Sequence, residues 1–115
     1  MREGDVDELL RILRRSVLGA PVRLAIMIYL ISRGKMYFSD LLRALDVTLG
    51  NLWSHLRKLE EEGMVVARRV FTRRPRVQVE ITEKGINETM SYIRTIKRVL
   101  EGITEEKQLK IKDKP

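Results

Sequence analysis

Five arginines stand close together in the second half of the chain, in a stretch with no acidic residue between Gly63 and Val79. They are Arg68, Arg69, Arg73, Arg74 and Arg76. Cations at this density can contact the phosphates of a polyanion, whereas the structural alternative is a charged turn that is only solvated. The choice between the two depends on the element that presents these side chains.

The charge of the whole chain also favours a polyanion. Its 115 residues include 23 Lys and Arg against 16 Asp and Glu, which gives a formal charge of +7 and an isoelectric point near 10.1. This balance indicates nucleic acid first and an anionic membrane second. A hydrophobic content of 43% suffices for a single modest core, so we expect one domain.

Residue types that perform catalysis or bind metals are scarce. The chain has no Cys, which excludes disulfides, thiolate metal sites and Cys nucleophiles, and its single His55 has no companion for a metal site. Ser54 precedes His55, but neighbours on a helix point about 100° apart and form no dyad. No paired carboxylates or glycine-rich phosphate loop can be assembled. We therefore expect no enzymatic activity, metal or cofactor.

Signals for export or for a membrane are also missing from the sequence. Residues 1–7 are acidic and polar, without the positive start and apolar stretch of a signal peptide. The longest apolar run, residues 24–31, has eight residues, whereas about 20 are needed to span a bilayer. We expect a soluble, cytoplasmic protein.

The arginines belong to a predicted β-hairpin, which we call the wing and place at about residues 64–81. Residues 64–71 are rich in β-forming side chains, and apolar and polar side chains alternate over residues 77–81. Pro75 stiffens the tip and removes an edge donor. Arginines on such a hairpin can reach phosphates beside a DNA groove, or enter the minor groove, where the negative potential is concentrated.

Two predicted helices precede the wing. Ser39 is expected to cap a short helix over residues 40–45, and after a tight turn Thr48 caps a third helix that ends at Gly63. Two capped helices with a minimal turn between them form a helix-turn-helix, here at about residues 38–63. A basic hairpin directly after it completes one cationic face, which favours DNA contact over a solvated turn.

The third helix has an apolar and a polar side. A rotation of about 100° per residue points Leu52, Leu56 and Leu59 inward. The outward residues are Gly50, Ser54, Arg57, Lys58 and Glu61, with Asn51 and His55 on the flank. Small and polar outward residues can enter a major groove, but the alternative of a polar face that is only solvated stays open.

The two ends of this helix differ in charge. Acidic side chains at positions 60–62 would be repelled by phosphates, so the N-terminal half should approach DNA. There Asn51 can pair with adenine, and Gly50 allows close approach. Arg57 and Lys58 are phosphate contacts at best, because acidic residues four positions on partly neutralise them. We expect Trp53 to be a structural flank and His55 to pack or hydrogen-bond.

Further helices flank the helix-turn-helix and the wing. The sequence predicts an amphipathic helix over residues 6–17, a core helix from Pro21 to position 33 that Gly34 ends, and a short strand over residues 36–38.

At the other end, Thr82 is predicted to cap a last helix over about residues 83–103, followed by a charged, flexible tail at 104–115. The predicted fold is therefore α+β, with a single winged helix-turn-helix domain over residues 1–103.

The first and last helices each carry an apolar stripe that a small core does not fully cover. The residues are Leu9, Leu10 and Leu13 in the first helix, and Ile86, Met90, Ile93, Ile96 and Leu100 in the last. We hypothesise that they form a symmetric dimer interface, which would hold two third helices about 34 Å apart and require a palindromic site. The alternative is that both stripes complete the core of a monomer.

Several short motifs combine into a recognisable pattern. They are Pro21-Val22-Arg23-Leu24-Ala25-Ile26, Tyr37-Phe38-Ser39-Asp40-Leu41, Gly50-Asn51-Leu52-Trp53-Ser54-His55-Leu56-Arg57-Lys58-Leu59-Glu60, Met64-Val65 and Ile81-Thr82-Glu83-Lys84-Gly85. Over roughly residues 16–100 the chain resembles the MarR- and ArsR-like winged-helix transcriptional regulators, particularly a compact archaeal and bacterial type.

This resemblance implies a homodimeric transcription factor that binds double-stranded DNA, with the third helix in the major groove and the wing on the backbone or in the minor groove. Metal sensing and redox sensing do not transfer, because the Cys and His clusters are absent. No residue set marks an effector pocket. The expected DNA-binding residues are Ser39, Thr48, Gly50, Asn51, Ser54, Arg57 and Lys58 with the wing arginines Arg68, Arg69, Arg73, Arg74 and Arg76.

Three classes of function fit these features. The first is a sequence-specific transcriptional regulator, and the second is a nonspecific or architectural DNA binder with steeply salt-dependent affinity. The third is a winged helix that binds proteins and has lost DNA contact. Five arginines in the wing argue against the third class.

Overall fold

The computed structural model describes residues 3–112, and within them five α-helices accompany a small three-stranded antiparallel sheet. The elements are α1 Glu3–Arg15, α2 Pro21–Arg33, β1 Lys35–Tyr37, α3 Phe38–Leu45, α4 Leu49–Glu61, β2 Val65–Phe71, β3 Pro75–Ile81 and α5 Glu83–Lys112, with a 3₁₀ turn at Val17–Gly19. The predicted α+β winged helix-turn-helix fold is confirmed.

The second helix, α2, is the centre of the core. Pro21 occupies its first turn, where a missing N–H leaves no hydrogen bond unmade, and Gly34 ends it with a φ of 81°. Ile26, Met27 and Leu30 are fully buried among residues from the other elements. The prediction of a central, many-sided core helix is confirmed.

The start of α3 differs from the sequence-based prediction. The helix begins at Phe38, and its N-cap is Tyr37, which makes no side-chain capping bond, so the prediction that Ser39 caps it is wrong. Phe38 stacks on Trp53 of α4 with ring centroids 4.4 Å apart. This packing draws position 38 into the first turn, and Ser39 becomes an exposed residue inside the helix.

The cap of α4 agrees with the prediction. The Thr48 hydroxyl accepts a hydrogen bond from the Asn51 amide at 3.2 Å, and the helix runs from Leu49 to Glu61. Between the two helices Asp46 adopts a left-handed conformation with a φ of 52°, and its amide donates to Leu42. The chain therefore reverses within a few residues, as a helix-turn-helix requires.

The sheet has the strand order β1-β3-β2, with β3 in the centre and all pairs antiparallel. β2 and β3 pair along their whole length, from Val65 opposite Ile81 to Phe71 opposite Pro75. Val65, Val79 and Met36 lie in the buried cluster with the leucines of α4, so the helices cover this face. The predicted hairpin is confirmed, and its far end extends beyond the core.

The last helix passes very close to the base of the wing. The Thr82 hydroxyl accepts from the Gly85 amide at 3.0 Å, which confirms the predicted cap. A Cβ at Gly85 would lie 2.2 Å from the Met64 carbonyl oxygen, so only glycine permits this approach.

α5 also continues to Lys112, so the predicted helix end near residue 103 is wrong. Residues 104–112 lose the apolar periodicity, but most are good helix formers and none is proline. Positions 113–115, the end of the predicted tail, lie outside the described residues, and the tail's flexibility stays a prediction.

Candidate nucleic-acid interface

The polar side of α4 is exposed where the sequence predicts it. Leu52, Leu56 and Leu59 are fully buried. Gly50, Asn51, Ser54, Arg57 and Lys58 are exposed. An open depression of about 450 Å³ runs along this face, lined by Gly50, Trp53, Ser54, Arg57, Lys58 and Glu61. The predicted orientation of the helix is confirmed, whereas the DNA contacts of these residues stay a prediction.

Trp53 forms one wall of this depression. Its ring is half-buried and stacks on Phe38 with an interplanar angle of 22°. This contact joins the two helices of the helix-turn-helix and fixes their relative orientation. The prediction that Trp53 is a structural flank is confirmed.

His55 connects α4 to α2. Arg23 donates from a guanidinium nitrogen to His55 Nδ1 at 3.1 Å, and its Nε donates to the Val17 carbonyl at 2.5 Å. Burial lowers the pKa of His55, and the charges of Arg23 and Lys58 lower it further. The imidazole is therefore held neutral as an acceptor, which confirms the predicted hydrogen-bonding role. No group of three potential metal-ligating side chains occurs within the described residues.

Sequence reasoning did not identify Arg23 as a partner of His55, although an arginine in the first turn of an apolar helix was a visible signal. One side chain ties together the 3₁₀ turn, α2 and α4. Its partner lies 32 residues away in the chain, and periodicity cannot reveal such a contact. Helix α4 is thus tied to α2 and to the 3₁₀ turn through His55.

The acidic end of α4 is directed to the base of the wing. Glu60 Oε2 accepts a hydrogen bond from the Ala67 amide on the free edge of β2 at 3.3 Å. Lys84 Nζ donates to the Glu62 carbonyl at 2.6 Å. Across residues 3–112, no ion pair joins Arg57 or Lys58 to the acidic residues four positions on. The expected pairing is absent, and both cations remain available to a ligand.

The tip of the wing is a short, ordered loop. The amide and the hydroxyl of Thr72 both donate to the Arg74 carbonyl, at 3.4 and 3.3 Å. Arg73 and Arg74 are exposed and line a shallow depression of about 540 Å³ with Thr72 and Arg76. In the described part of the chain neither tip arginine has an acidic partner within 4 Å, so the charge of the tip is uncompensated.

The other wing arginines are not equivalent to those at the tip. Arg68 lies 3.4 Å from Glu80 in an exposed ion pair, so part of its charge is compensated. The Arg76 guanidinium lies over the Tyr37 ring, 4.8 Å from its centroid, which positions it beside the N-terminus of α3. Exposed Ser39 lies in the first turn of that helix. Tyr37 was not among the predicted site residues, and only the β1–β3 pairing brings it to Arg76.

The two predicted apolar stripes have different surroundings. α1 packs on α5 within the chain, where Leu9 and Leu13 are half-buried and Val99 is buried. The exposed remainder consists of Leu10, Ile86, Met90 and Leu100, next to half-buried Ile93 and Ile96. An open depression of about 510 Å³ lies along Ile93, Ile96 and Leu100. Part of the predicted dimer surface is thus intramolecular, and part remains uncovered.

Within residues 3–112, none of the helices has the length and apolar character needed to span a membrane.

Known proteins that resemble this chain contain a winged helix. The family model described as a winged helix DNA-binding domain matches residues 22–100. A solved structure of a transcriptional regulator homologue protein from Pyrococcus horikoshii OT3 is 44% identical in sequence, with a TM-score of 0.80. The matched region covers 84% of this chain and 97% of that chain. No curated protein sequence matches the chain.

More distant structures share the fold. A protein named as a transcriptional regulator of the MarR family from Enterococcus faecalis V583 is 22% identical, with 94% of this chain and 93% of that chain covered and a TM-score of 0.66. The transcriptional regulator BldR from Sulfolobus solfataricus is 20% identical, with 93% and 80% covered and a TM-score of 0.65. The predicted likeness to MarR-like winged helices is confirmed at the level of fold.

Proposed function

We propose a function for this chain from the premise that it belongs to the winged helix DNA-binding domain family. The chain is a sequence-specific transcriptional regulator that places α4 in the major groove and the wing on the backbone or in the minor groove. The observation that carries the proposal is the exposure of two regions free of acidic residues, the N-terminal half of α4 and the wing segment that carries Arg68, Arg69, Arg73 and Arg74.

Base reading is assigned to the first turns of α4. Asn51 is exposed there and can form a bidentate pair with adenine, while Gly50 has no heavy atom within 4 Å of the position that a Cβ would occupy. Open space at Gly50 permits the helix backbone to come close to the groove floor. Thr48 and Ser54 complete the set near the bases, and Arg57 and Lys58 contact phosphates.

The wing supplies most of the sequence-independent affinity. Arg73 and Arg74 have no compensating acid, and Arg76 is held on Tyr37 close to the exposed Ser39. Their cations release counterions from DNA, so the affinity should fall steeply with salt. Arg68 contributes less, because Glu80 already compensates it.

A homodimer is part of the proposal. Ile86, Met90 and Leu100 on α5 and Leu10 on α1 are exposed apolar residues, which a second copy of the chain would cover. A two-fold dimer would hold two α4 helices about one DNA turn, roughly 34 Å, apart. The operator should therefore be a palindrome with half-sites one turn apart.

Selection from a random DNA pool, followed by salt titration, tests the proposed function. Recovery of a palindrome supports it, whereas uniform enrichment supports the alternative of a nonspecific or architectural DNA binder.

Two sets of variants then separate the roles. Asn51→Ala should relax the base preference at one position by about 1–3 kcal/mol, while Arg73→Ala with Arg74→Ala should weaken binding to every sequence and flatten the salt slope by about 2. Equal effects of both sets on all sequences would contradict this division. Ser91→Ala, on an exposed polar part of α5, is the matched control.

The remaining expectations follow from this proposal. A regulator that acts by binding DNA needs no catalytic residue and no resident cofactor, and its partners are double-stranded DNA and a second copy of the chain. The cytoplasmic location stays a prediction from the sequence.

A further inference from the structure

Phe71 is the most exposed large hydrophobic residue among those that the structure describes. Its exposed fraction is 77%, compared with 58% for Leu100 and 57% for Leu49. Leu100 belongs to the α5 stripe that a second copy would cover, and Leu49 lies at the start of α4. Phe71 stands apart from both, at the end of the wing.

The ring is held there by the sheet and is not part of a loose loop. Phe71 is the last residue of β2 and pairs with Pro75, the first residue of β3. The three-residue loop that they enclose is itself braced by the bonds from Thr72 to the Arg74 carbonyl. The structure thus presents an apolar side chain at a defined position on a narrow projection.

Strand alternation places this ring on the side of the wing that faces the helices. Residues two apart on a strand share a face, so Phe71 lies on the same face as Arg69 and Val65. Val65 is buried with Leu56 and Leu59 of α4. Phe71 therefore projects past the edge of the core on the α4 side, and towards DNA that α4 contacts.

The charges around the ring indicate which partner it meets. Arg69, Arg73 and Arg74 surround it in sequence and are exposed, and no acidic residue occurs in the wing before Glu80. A protein surface without a cluster of acidic residues, or a neutral apolar groove, would not favour three unpaired guanidinium groups at its rim. The minor groove of DNA combines a concentrated negative potential with base edges that an apolar side chain can contact.

We propose that Phe71 acts as an apolar wedge that enters the minor groove beside the α4 site and partly unstacks one base step. The proposal rests on the proposed function and adds to it a specificity element in the wing. Flexible pyrimidine–purine steps, TA and CA/TG, are the easiest to unstack and bend. The protein therefore prefers such a step at the wing position, where it makes no base-edge hydrogen bond, and it kinks the duplex.

Duplexes of the selected site, labelled at both ends for energy transfer and carrying 2-aminopurine at the wing step, test this proposal. Wild-type protein should bend the duplex by about 20–90° and raise the 2-aminopurine fluorescence. Replacing the flexible step by a GC step should weaken wild-type binding about fivefold or more. Phe71→Ala should lose the bend, the fluorescence change and the step preference, and Phe71→Leu should retain part of each.

Controls separate the wedge from simple charge. Arg73→Ala should reduce the salt slope by about 1 and keep the step preference, whereas Phe71→Ala should leave the salt slope unchanged, because no cation is removed. Val66→Ala removes an exposed apolar side chain from the same strand near its base and should change none of these quantities. The melting temperatures of Phe71→Ala and Phe71→Leu without DNA should equal that of the wild-type protein, because the ring is exposed.

Four results would overturn the proposal. They are an unbent duplex with wild-type protein, an unchanged step preference in Phe71→Ala, a fivefold loss in Val66→Ala, or Phe71-dependent binding to anionic lipid vesicles with none to DNA. Failure of the proposed function is distinguishable, because wild-type protein would then bind no DNA sequence with preference at any salt concentration.

Discussion

Gly85 is the residue at which α5 comes closest to the base of the wing, and replacing it by alanine gives a sharp test of the packing. A Cβ there would lie 2.2 Å from the Met64 carbonyl oxygen and 3.0 Å from Ile81 Cγ1 and Met27 Cε. The oxygen cannot move away freely, because it accepts a hydrogen bond from the Thr82 amide at 3.0 Å. We therefore expect Gly85→Ala to force α5 away from the wing.

The expected change in the free energy of unfolding of Gly85→Ala is the sum of two opposing contributions. Overpacking a well-packed site costs about 1–3 kcal/mol, and the rigid backbone oxygen at Gly85 puts this change at the upper end. Alanine returns about 1 kcal/mol through its higher helix propensity. The net loss in the free energy of unfolding is about 2 kcal/mol, which lowers the melting temperature by roughly 8 °C in a domain of this size.

Gly50→Ala is the matched control, because Gly50 also lies in a helix but has nothing within 4 Å of its Cβ position. It should raise the free energy of unfolding by up to about 1 kcal/mol. Urea unfolding followed by circular dichroism measures both variants, at several protein concentrations because a dimer's stability depends on concentration. If Gly85→Ala unfolds at the same urea concentration as wild type, or if both variants shift alike, the close approach of α5 to Met64 is refuted.

Three further predictions concern the dimer, pH and a buried hydroxyl. Leu100→Glu should give a monomer in sedimentation while the matched Ser91→Glu stays dimeric, and equal masses for both would contradict the α5 interface. Because the pKa of His55 is lowered in the folded protein, the imidazole of the unfolded chain is protonated first as the pH falls. The free energy of unfolding should therefore decline below about pH 6.5. An equal decline in His55→Gln, measured by urea unfolding at several pH values, would exclude this cause. Thr89 is fully buried, and its hydroxyl has no hydrogen-bond partner among the described residues. Thr89→Val should therefore raise the free energy of unfolding by about 1 kcal/mol in urea melts. A lower free energy of unfolding in this variant would contradict the prediction and indicate that the hydroxyl has a partner.

Some predictions failed where packing overrides a local signal. Ser39 is a residue type that favours the N-cap position, yet the stacking of Phe38 on Trp53 starts α3 two residues earlier than a Ser39 cap allows. The end of α5 was misjudged for another reason. Apolar periodicity reports which face of a helix is buried, not whether the backbone is helical, so α5 continues to Lys112 after the periodicity stops.

The wing shows how far sequence reasoning reaches within the candidate site. The density of arginines and the strand alternation predicted a basic hairpin, and the ladder from Val65 to Phe71 confirms it. From the sequence pattern, the five arginines of the wing cannot be distinguished from one another. The structure separates them, because Glu80 compensates Arg68 and Tyr37 holds Arg76.

The positions of most helices and strands, and the sides that they turn to the core, follow from local signals in the sequence. These signals act over three or four residues, so a short stretch of sequence is enough to recognise them. They are the hydrophobic periodicity, the caps at Thr48 and Thr82, and Pro21 in the first turn of α2. The Arg23–His55 bond and the close approach of α5 at Gly85 could not be predicted in this way, because they arise only when the chain is folded. Such contacts join distant residues, and they depend on how helices cross and which rotamers fit, neither of which a linear pattern records.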